Sequence, residues 1–226
     1  ECHKYVSREK VVVIQNAVDT RTYSEPTPEL IGRVVGKYDL YDKSIILCIG
    51  RLSVAKGFQY VIRALHIVRQ KIPEAHLVIV GKDDGYGYSR ELQKLVNQES
   101  AESHVSFVGR VDEDEKRALL WLARVVAIPS IEEPFGIVAL EAMASGKRIV
   151  ASKVGGLTEV LSTDKYSLLV ESGNVEQLGY GLIKTIQDKS MEINAKKNRI
   201  SRSSLFDLSR MVSNYLDRYQ EIEDKS

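Results

Sequence analysis

The sequence predicts an α/β fold in which a doubly wound parallel sheet is flanked by helices and followed by a long amphipathic C-terminal helix. Short apolar runs recur along the 226 residues, and most lack the alternation of a half-exposed strand. Such runs are typical of parallel strands that are covered on both faces. Helical patterns fill the gaps between them, and repeated β-α-β units build a Rossmann-like parallel sheet.

Seven apolar runs are predicted as strands. They span residues 10–15, 44–50, 75–81, 104–109, 125–130, 148–152 and 167–170. Between them, an apolar stripe from Phe58 to Ile72 predicts one helix. Asp112 opens another helix with acidic residues in its first turn, and Asn174 caps a third. Because ligands of doubly wound sheets bind at the carboxyl ends of the strands, the segments that follow the strands are the candidate sites.

The C-terminal segment differs from the rest because no strand follows it. Its apolar residues fall on one helical face: Leu205, Leu208, Met211, Val212, Tyr215, Tyr219 and Ile222. We expect residues 1–20 to hold a linker and the first strand, and residues 21–200 to form the Rossmann-like domain. Residues 201–226 are expected to form a helix that covers a part of the protein outside this domain.

Composition narrows the class of protein. The 32 basic and 31 acidic residues give a net charge of +1, which argues against a dedicated nucleic-acid partner. Cys2 and Cys48 show no metal-ligand spacing and make a poor disulfide framework, so the expected compartment is the cytoplasm. No apolar run reaches the roughly 18 residues that a membrane span needs.

The loop after the second predicted strand, GRLSVAKG, is a candidate anion site. Gly50 allows a tight exit from the strand, and Arg51 and Lys56 follow just before Gly57 and a helix. Two cations beside free backbone N–H groups at a helix start favour a bound anion. The alternative is a pair of solvated surface charges.

The glycines after the third predicted strand are less specific. Gly81, Gly85 and Gly87 do not have the spacing of the dinucleotide-binding fingerprint. They either let a phosphate or sugar approach the backbone or form a flexible loop. Asp83 and Asp84 are only a surface-loop candidate, and no metal site is expected there.

The segment SIEEPFGIVALEAMASG carries two glutamates around a predicted helix start near Gly136 or Ile137. Glu133 lies just before the helix and Glu141 lies inside its apolar run. A carboxylate in an apolar helix should be paired or hydrogen-bonded, because burying it bare is costly. One interpretation is a structural ion pair with Arg148 or Lys147, or a cap. The other is recognition of ligand hydroxyls, since carboxylates accept hydrogen bonds from vicinal diols.

The glycine pair after the sixth predicted strand favours a structural interpretation. Gly155 and Gly156 precede a short helix, and Glu159 lies within it as an acid that matches the helix dipole.

These motifs together resemble the C-terminal domain of GT-B retaining glycosyltransferases of family 4, the glycogen-synthase-like group. The resemblance rests on GRLSVAKG, VSFVGRV, EPFG with its E-x7-E spacing, and SGKRIVASKVGGLTEV, in that order. VIQNAVDTRTY resembles the interdomain segment of the family, so the resemblance runs from about Lys10 to the end. Ala17 and Gln15 depart from the usual glycine and proline of that segment, and SLLV lacks the usual preceding glycine.

The resemblance implies a role for each matching residue. Arg51 and Lys56 would hold the donor diphosphate and stabilise it as it leaves. Glu133 would contact the donor sugar, and Glu141 would bind the ribose. The implied substrate-binding set is completed by Gly50, Phe135, Gly136 and Ile137 around the phosphates and sugar, and by Gly109 and Val111 near the base.

The resemblance also implies partners. The donor would be a UDP-, GDP- or ADP-sugar, with no cofactor and no metal, and the acceptor a glycan, lipid or metabolite. An N-terminal Rossmann-like domain of the same chain would complete the active site, and any membrane association would run through that domain. The alternatives are a nucleotide-sugar-binding module that is inactive alone, or a related GT-B enzyme such as an epimerase or phosphorylase. The absent fingerprint disfavours an NAD-dependent enzyme.

Overall fold

The computed structural model describes residues 11–83, 85–162, 167–188 and 200–224. The strands form one parallel sheet: β1 Ser44–Ile49, β2 Ala75–Val80, β3 Val105–Gly109, β4 Val125–Ile128, β5 Ile149–Ser152 and β6 Ser167–Val170. The helices are α1 Pro28–Lys37, α2 Phe58–Arg69, α3 Tyr88–Gln98, α4 Glu113–Leu122, α5 Ile137–Ala144, α6 Gly155–Leu161, α7 Val175–Gln187 and α8 Leu208–Glu223.

The strand order β3-β2-β1-β4-β5-β6 confirms the predicted doubly wound sheet. Strands are added outward from β1 on one side and outward from β4 on the other. The direction of winding therefore reverses between β1 and β4, which pair directly through Ile46 and Val125. This reversal is the topological switch point, where ligands of such sheets bind.

Two apolar cores cover the two faces of the sheet. Ile46 and Cys48 of β1 face the core that includes α2, α3 and α7, while Ile45 and Leu47 face the core that includes α1, α4, α5 and α6. All four side chains are buried. Burial on both faces is the reason why the strand sequences show no alternation of apolar and polar residues.

Side-chain caps begin several helices where the sequence indicates. The Asp112 carboxylate accepts a hydrogen bond from Glu115 N at 2.7 Å and begins α4. Asn174 accepts from Gln177 N at 2.9 Å and begins α7. These bonds satisfy backbone donors that have no partner within the helix.

The prediction of a strand at residues 10–15 is wrong over the described part of that segment. Residues 11–17 form no strand, and the side chains of Val12 and Val13 are 55% and 81% exposed. Val18 makes only an isolated bridge with Asp207. A β-rich run needs a partner strand, and β3 and β6 form the two edges of the sheet without pairing to this segment.

The C-terminal segment is divided where one helix was predicted. Ser204–Phe206 forms a 3-10 turn, and α8 begins at Leu208 with Asp207 as its cap. Phe206 is buried and packs edge-to-face against Phe135 at 6.3 Å. In contrast, α8 buries none of its residues, and its exposed apolar side chains are Leu208, Val212, Tyr215, Leu216, Tyr219 and Ile222. Within the described ranges, no helix is long and apolar enough to cross a membrane.

Candidate functional site

Two loops meet at the switch point, one after β1 and one after β4. Ile131 N donates to Ala55 O at 2.8 Å, which joins the loops through their backbones. Gly57 has φ 67°, and a Cβ at this position would lie 1.9 Å from Pro129 O. Only glycine tolerates both that backbone conformation and that approach, so the β1 loop can pack directly on the end of β4.

Lys56 and Glu133 form an ion pair across the switch point. Lys56 Nζ lies 2.6 Å from Glu133 Oε2, and the two side chains are 22% and 11% exposed. Lys56 ends a short 3-10 turn, Val54–Lys56. The structure thus brings together two predicted site residues that are 77 positions apart in the sequence.

Arg51 lies on the same loop and is exposed. Its backbone leaves β1 between Gly50 N, which donates to Val80 O, and Leu52 N, which donates to Lys82 O. These bonds continue the pairing with β2 past the end of the strand. Among the described residues, Arg51 makes no ion pair. Its exposed side chain lies on the same loop as Lys56.

Helix α5 begins at Ile137, as predicted, after the loop at residues 129–136 that follows β4. Gly136 precedes it with φ 102°, and no side chain caps the helix. A Cβ on Gly136 would lie 2.9 Å from Leu157 Cδ2. The first N–H groups of α5 therefore carry the partial positive charge of a helix start next to Glu133.

The first turn of α6, which includes Gly155 and Gly156 rather than following them as predicted, supports the turn that holds Glu133. Gly156 N donates to Glu133 O at 2.9 Å. A Cβ on Gly155 would lie 2.4 Å from Glu133 O, and one on Gly156 would lie 2.3 Å from Phe135 Cα. The glycine pair therefore has a packing role, as the sequence favours, while Glu159 accepts a hydrogen bond from Gln15.

Glu141 is buried in α5 and is held by two donors that the sequence did not reveal. Tyr23 OH donates to Glu141 Oε1 at 2.8 Å, and Lys116 Nζ lies 2.9 Å from the same oxygen. The ion pairs proposed from the sequence do not form, because Arg148 donates to Thr185 O and Lys147 to a backbone carbonyl. Glu141 is thus structurally paired, but through a different cation.

The pKa values of the two donors keep them in their donating forms. Burial and the neighbouring Glu141 carboxylate raise the pKa of Tyr23 well above its usual value. Burial alone would lower the pKa of Lys116, but its bonds to Glu113 and Glu141 outweigh burial and raise that pKa. Near neutral pH, Tyr23 is therefore a phenol and Lys116 a cation.

Gly109 and Val111 lie at the carboxyl end of β3, as the Arg51 loop does at the carboxyl end of β1. Gly109 has φ 72°, its carbonyl accepts from Gly81 N at 2.8 Å, and a Cβ there would meet nothing within 4 Å. Two inter-strand spacings separate β3 from β1, so these residues lie about 10 Å from the Arg51 loop, measured across the strands. They lie at the same ends of the strands as the two cations.

The glycine loop after β2 is organised by its own carboxylate. Asp83 accepts from Gly85 N at 2.9 Å, Gly87 N at 3.2 Å and Ser89 N at 2.7 Å. The bonds from Ser89, Gly85 and Gly87 lower the pKa of Asp83 to about 2. Asp83 thereby takes the backbone donors that a phosphate would use. Asp84 lies outside the described residues.

A cavity of about 550 Å³ lies between the segment at residues 13–17 and the start of α8. Glu159, Phe206 and Arg210 contribute to its lining. In the described ranges, no cluster of three or more His, Cys, Asp or Glu side chains is arranged to hold a metal ion.

Comparison with known proteins decides the family of this chain. Residues 36–202 match the family described as glycosyl transferases group 1, which is well over half of the sequence. The chain belongs to the group 1 glycosyl transferases.

Curated relatives and solved structures support this membership of the group 1 glycosyl transferases. An uncharacterized glycosyltransferase of Methanocaldococcus jannaschii is 36% identical over 186 residues, which are 80% of this chain and 46% of the relative. The GDP-mannose-dependent alpha-(1-6)-phosphatidylinositol monomannoside mannosyltransferase of Mycobacterium tuberculosis is 31% identical over 183 residues, which are 78% of this chain and 46% of the relative. The chain thus spans about half the length of these curated relatives.

The solved structure of Anabaena HepE in complex with UDP and glucose is similar to this chain, with a TM-score of 0.85 and 26% sequence identity. The match covers 94% of this chain and 57% of that one. The fold is therefore that of a GT-B C-terminal domain, as the motifs predict.

Proposed function

We propose that this chain is the donor-binding domain of a retaining glycosyltransferase that transfers a sugar from a nucleotide-diphosphate sugar to an acceptor. The observation that carries the proposal is the convergence of Arg51, Lys56, Glu133 and the uncapped start of α5 at the switch point. The names of the relatives support it, since one is a GDP-mannose-dependent transferase and one solved structure contains UDP and glucose.

The donor diphosphate binds between the β1 loop and the start of α5. Arg51 offers an exposed guanidinium, Lys56 an ammonium, and Gly136 and Ile137 lead a helix whose N–H groups carry partial positive charge. These groups neutralise the charge that develops on the departing diphosphate, so transfer requires no metal ion. Loss of one such fixed charge would cost about 3 kcal/mol of transition-state stabilisation, by analogy with the loss of an oxyanion-hole donor.

Two carboxylates bind the sugars on either side of the diphosphate. Glu133, fixed by Lys56, accepts hydrogen bonds from hydroxyls of the transferred sugar. Glu141, one turn into α5, accepts from the ribose, and the backbone between Gly109 and Val111 lies near the base. Backbone at Gly50 and Phe135 completes the walls around the phosphates and the sugar.

In the reaction, the bond between the anomeric carbon and the diphosphate oxygen breaks through an oxocarbenium-like transition state. The acceptor hydroxyl forms the new bond on the face that the diphosphate leaves, and its proton passes to the departing phosphate oxygen. Glu133 is a positioning group in this scheme, because its carboxylate is engaged by Lys56. The diphosphate carries away the electron pair of the broken bond, and the two cations stabilise it.

The acceptor and the remaining groups come from an N-terminal Rossmann-like domain. Relatives about twice as long as this chain support that expectation, as does the apolar face of α8, which buries none of its residues. The acceptor is a glycan, a lipid or a small metabolite.

Calorimetric titration with UDP, GDP and ADP, and with their sugar conjugates, tests the proposal. At least one nucleotide should bind, and Arg51→Ala should weaken diphosphate binding by about tenfold to hundredfold while sparing the free nucleoside. Arg124→Ala is the matched control, because Arg124 is also exposed. It precedes β4, at the amino ends of the strands and opposite the candidate site. Binding by none of the nucleotides, or equal losses for diphosphate and nucleoside, would contradict the proposal.

A further inference from the structure

Tyr23 connects the segment before the sheet with the buried carboxylate of α5. It ends the 3-10 turn Thr20–Tyr23, which precedes every strand and helix of the sheet, and its own side chain is buried. Its hydroxyl donates to Glu141 Oε1 at 2.8 Å, across 118 positions of sequence. Neither residue type nor motif spacing assigns this tyrosine a role in the site.

Both described donors to Glu141 act on the same oxygen. Tyr23 OH lies 2.8 Å and Lys116 Nζ 2.9 Å from Oε1. Two donors at one oxygen fix the plane of the carboxylate and leave Oε2 as the acceptor for a ligand. A carboxylate fixed in this way recognises a hydroxyl in one position only, because its rotation would break both bonds.

The two donors are not equivalent. Lys116 also lies 2.8 Å from Glu113, whose side chain is 72% exposed, so its charge is shared between two carboxylates. Tyr23 has Glu141 as its hydrogen-bond partner and sits in the apolar core, where few rotamers are open to it. Tyr23 is therefore the donor that sets the direction of the carboxylate.

The turn that carries Tyr23 is itself anchored to the start of α8. Thr20 Oγ1 donates to Asp207 Oδ2 at 2.6 Å, and Val18 N donates to Phe206 O at 3.0 Å. Asp207 also caps α8 by accepting from Ser209 N at 3.0 Å. The position of Tyr23 is thus tied to the C-terminal helix through short polar contacts.

We propose that Tyr23 is a positioning residue for donor recognition, which aligns Glu141 so that its Oε2 accepts a hydrogen bond from a ribose hydroxyl of the nucleotide. This inference rests on the proposed function. It adds a specificity determinant that lies outside the strand-end loops, and it makes ribose recognition depend on the contact between α8 and the segment before the sheet.

The test compares the affinity for UDP, GDP or ADP with that for the matching 2′-deoxynucleotide, in titrations of the full-length protein. The wild type should prefer the ribonucleotide, and Tyr23→Phe should lower the ribo-to-deoxy ratio by about fivefold, the factor that one net hydrogen bond is worth. Phenylalanine keeps the buried ring. A purely structural role of the hydroxyl would lower both affinities together and leave the ratio unchanged.

Two further variants make the test specific. Tyr38→Phe removes a comparable hydroxyl, whose bond at 3.3 Å goes to Glu115 on α4, and should leave the ratio unchanged. In a Glu141→Gln background, Tyr23→Phe should change the ratio no further, because the tyrosine acts through that carboxylate.

Each contrary outcome has one meaning. An unchanged ratio in Tyr23→Phe, or an additional loss in the Glu141→Gln background, overturns the positioning role and leaves the proposed function standing. A wild type that binds ribo- and deoxynucleotide equally overturns the ribose role of Glu141, and that of Tyr23 with it. A wild type that binds none of the three nucleotides overturns the proposed function itself.

Discussion

The contact between Gly156 and the turn that holds Glu133 can be tested by adding a single methyl group. In Gly156→Ala, the new Cβ would lie 2.3 Å from Phe135 Cα, 2.5 Å from Phe135 O and 2.6 Å from Pro134 O. All three are backbone atoms, so no side-chain rotation relieves the overlap, and the turn must move. Over-packing of this kind typically costs about 1–3 kcal/mol.

The helical position of Gly156 offsets part of this cost. Alanine is favoured over glycine in a helix by about 0.5–1 kcal/mol, so the net loss in the free energy of unfolding should be up to about 2.5 kcal/mol. Gly32→Ala is the matched control, because Gly32 lies inside α1 and a Cβ there meets nothing within 4 Å. That variant should gain up to about 1 kcal/mol.

Urea unfolding followed by circular dichroism measures both changes. With a denaturant slope of about 2 kcal/mol per molar, the midpoint should fall by up to about 1.2 M in Gly156→Ala and rise in Gly32→Ala. Nucleotide affinity should also fall in Gly156→Ala alone, since Glu133 moves with the turn. A midpoint that rises equally in both variants would refute the packing argument.

Two other predictions concern stability. Burial, with Lys43 nearby, lowers the pKa of His76 to about 4. The unfolded state then binds a proton that the folded state does not, so stability should be lost as the pH falls from about 6.5 to about 4, by at most about 3 kcal/mol. His76→Gln should flatten that dependence in urea titrations, and a wild-type profile already flat over this range would contradict the prediction. Phe206→Ala removes a buried ring that packs on Phe135 and should cost about 3–5 kcal/mol by the same assay. Tyr219→Ala, at a 60% exposed position of α8, should change stability by less than about 0.5 kcal/mol, and equal losses would contradict the assigned packing.

The sheet could be predicted from the sequence because its signals are local. Apolar runs mark each described strand, and the carboxylate of Asp112 and the amide of Asn174 mark helix starts by bonding three residues ahead. The run at residues 10–15 carries the same signal, but a strand also needs a partner, and pairing is a property of the whole fold. The exposed Val12 and Val13 side chains show where local propensity alone fails.

The same distinction separates the candidate site residues that the sequence marks from those that it does not. Arg51, Lys56 and Glu133 lie in the loops that follow β1 and β4, so the rule that ligands bind at strand ends marks them as candidates. Tyr23 and Lys116 reach Glu141 from 118 and 25 positions away, and no local pattern marks either residue. Their contacts with Glu141 form because separate elements pack on the same face of the sheet, and only the folded structure reveals that packing.

The central claim is that a nucleotide diphosphate binds at the switch point between β1 and β4. A crystal structure of the protein grown with whichever of UDP, GDP or ADP binds in calorimetry tests it most directly. We expect phosphate oxygens within hydrogen-bond distance of Arg51, Lys56 and the first N–H groups of α5, with a ribose hydroxyl on Glu141. A nucleotide bound elsewhere, such as in the cavity beside α8, would contradict it.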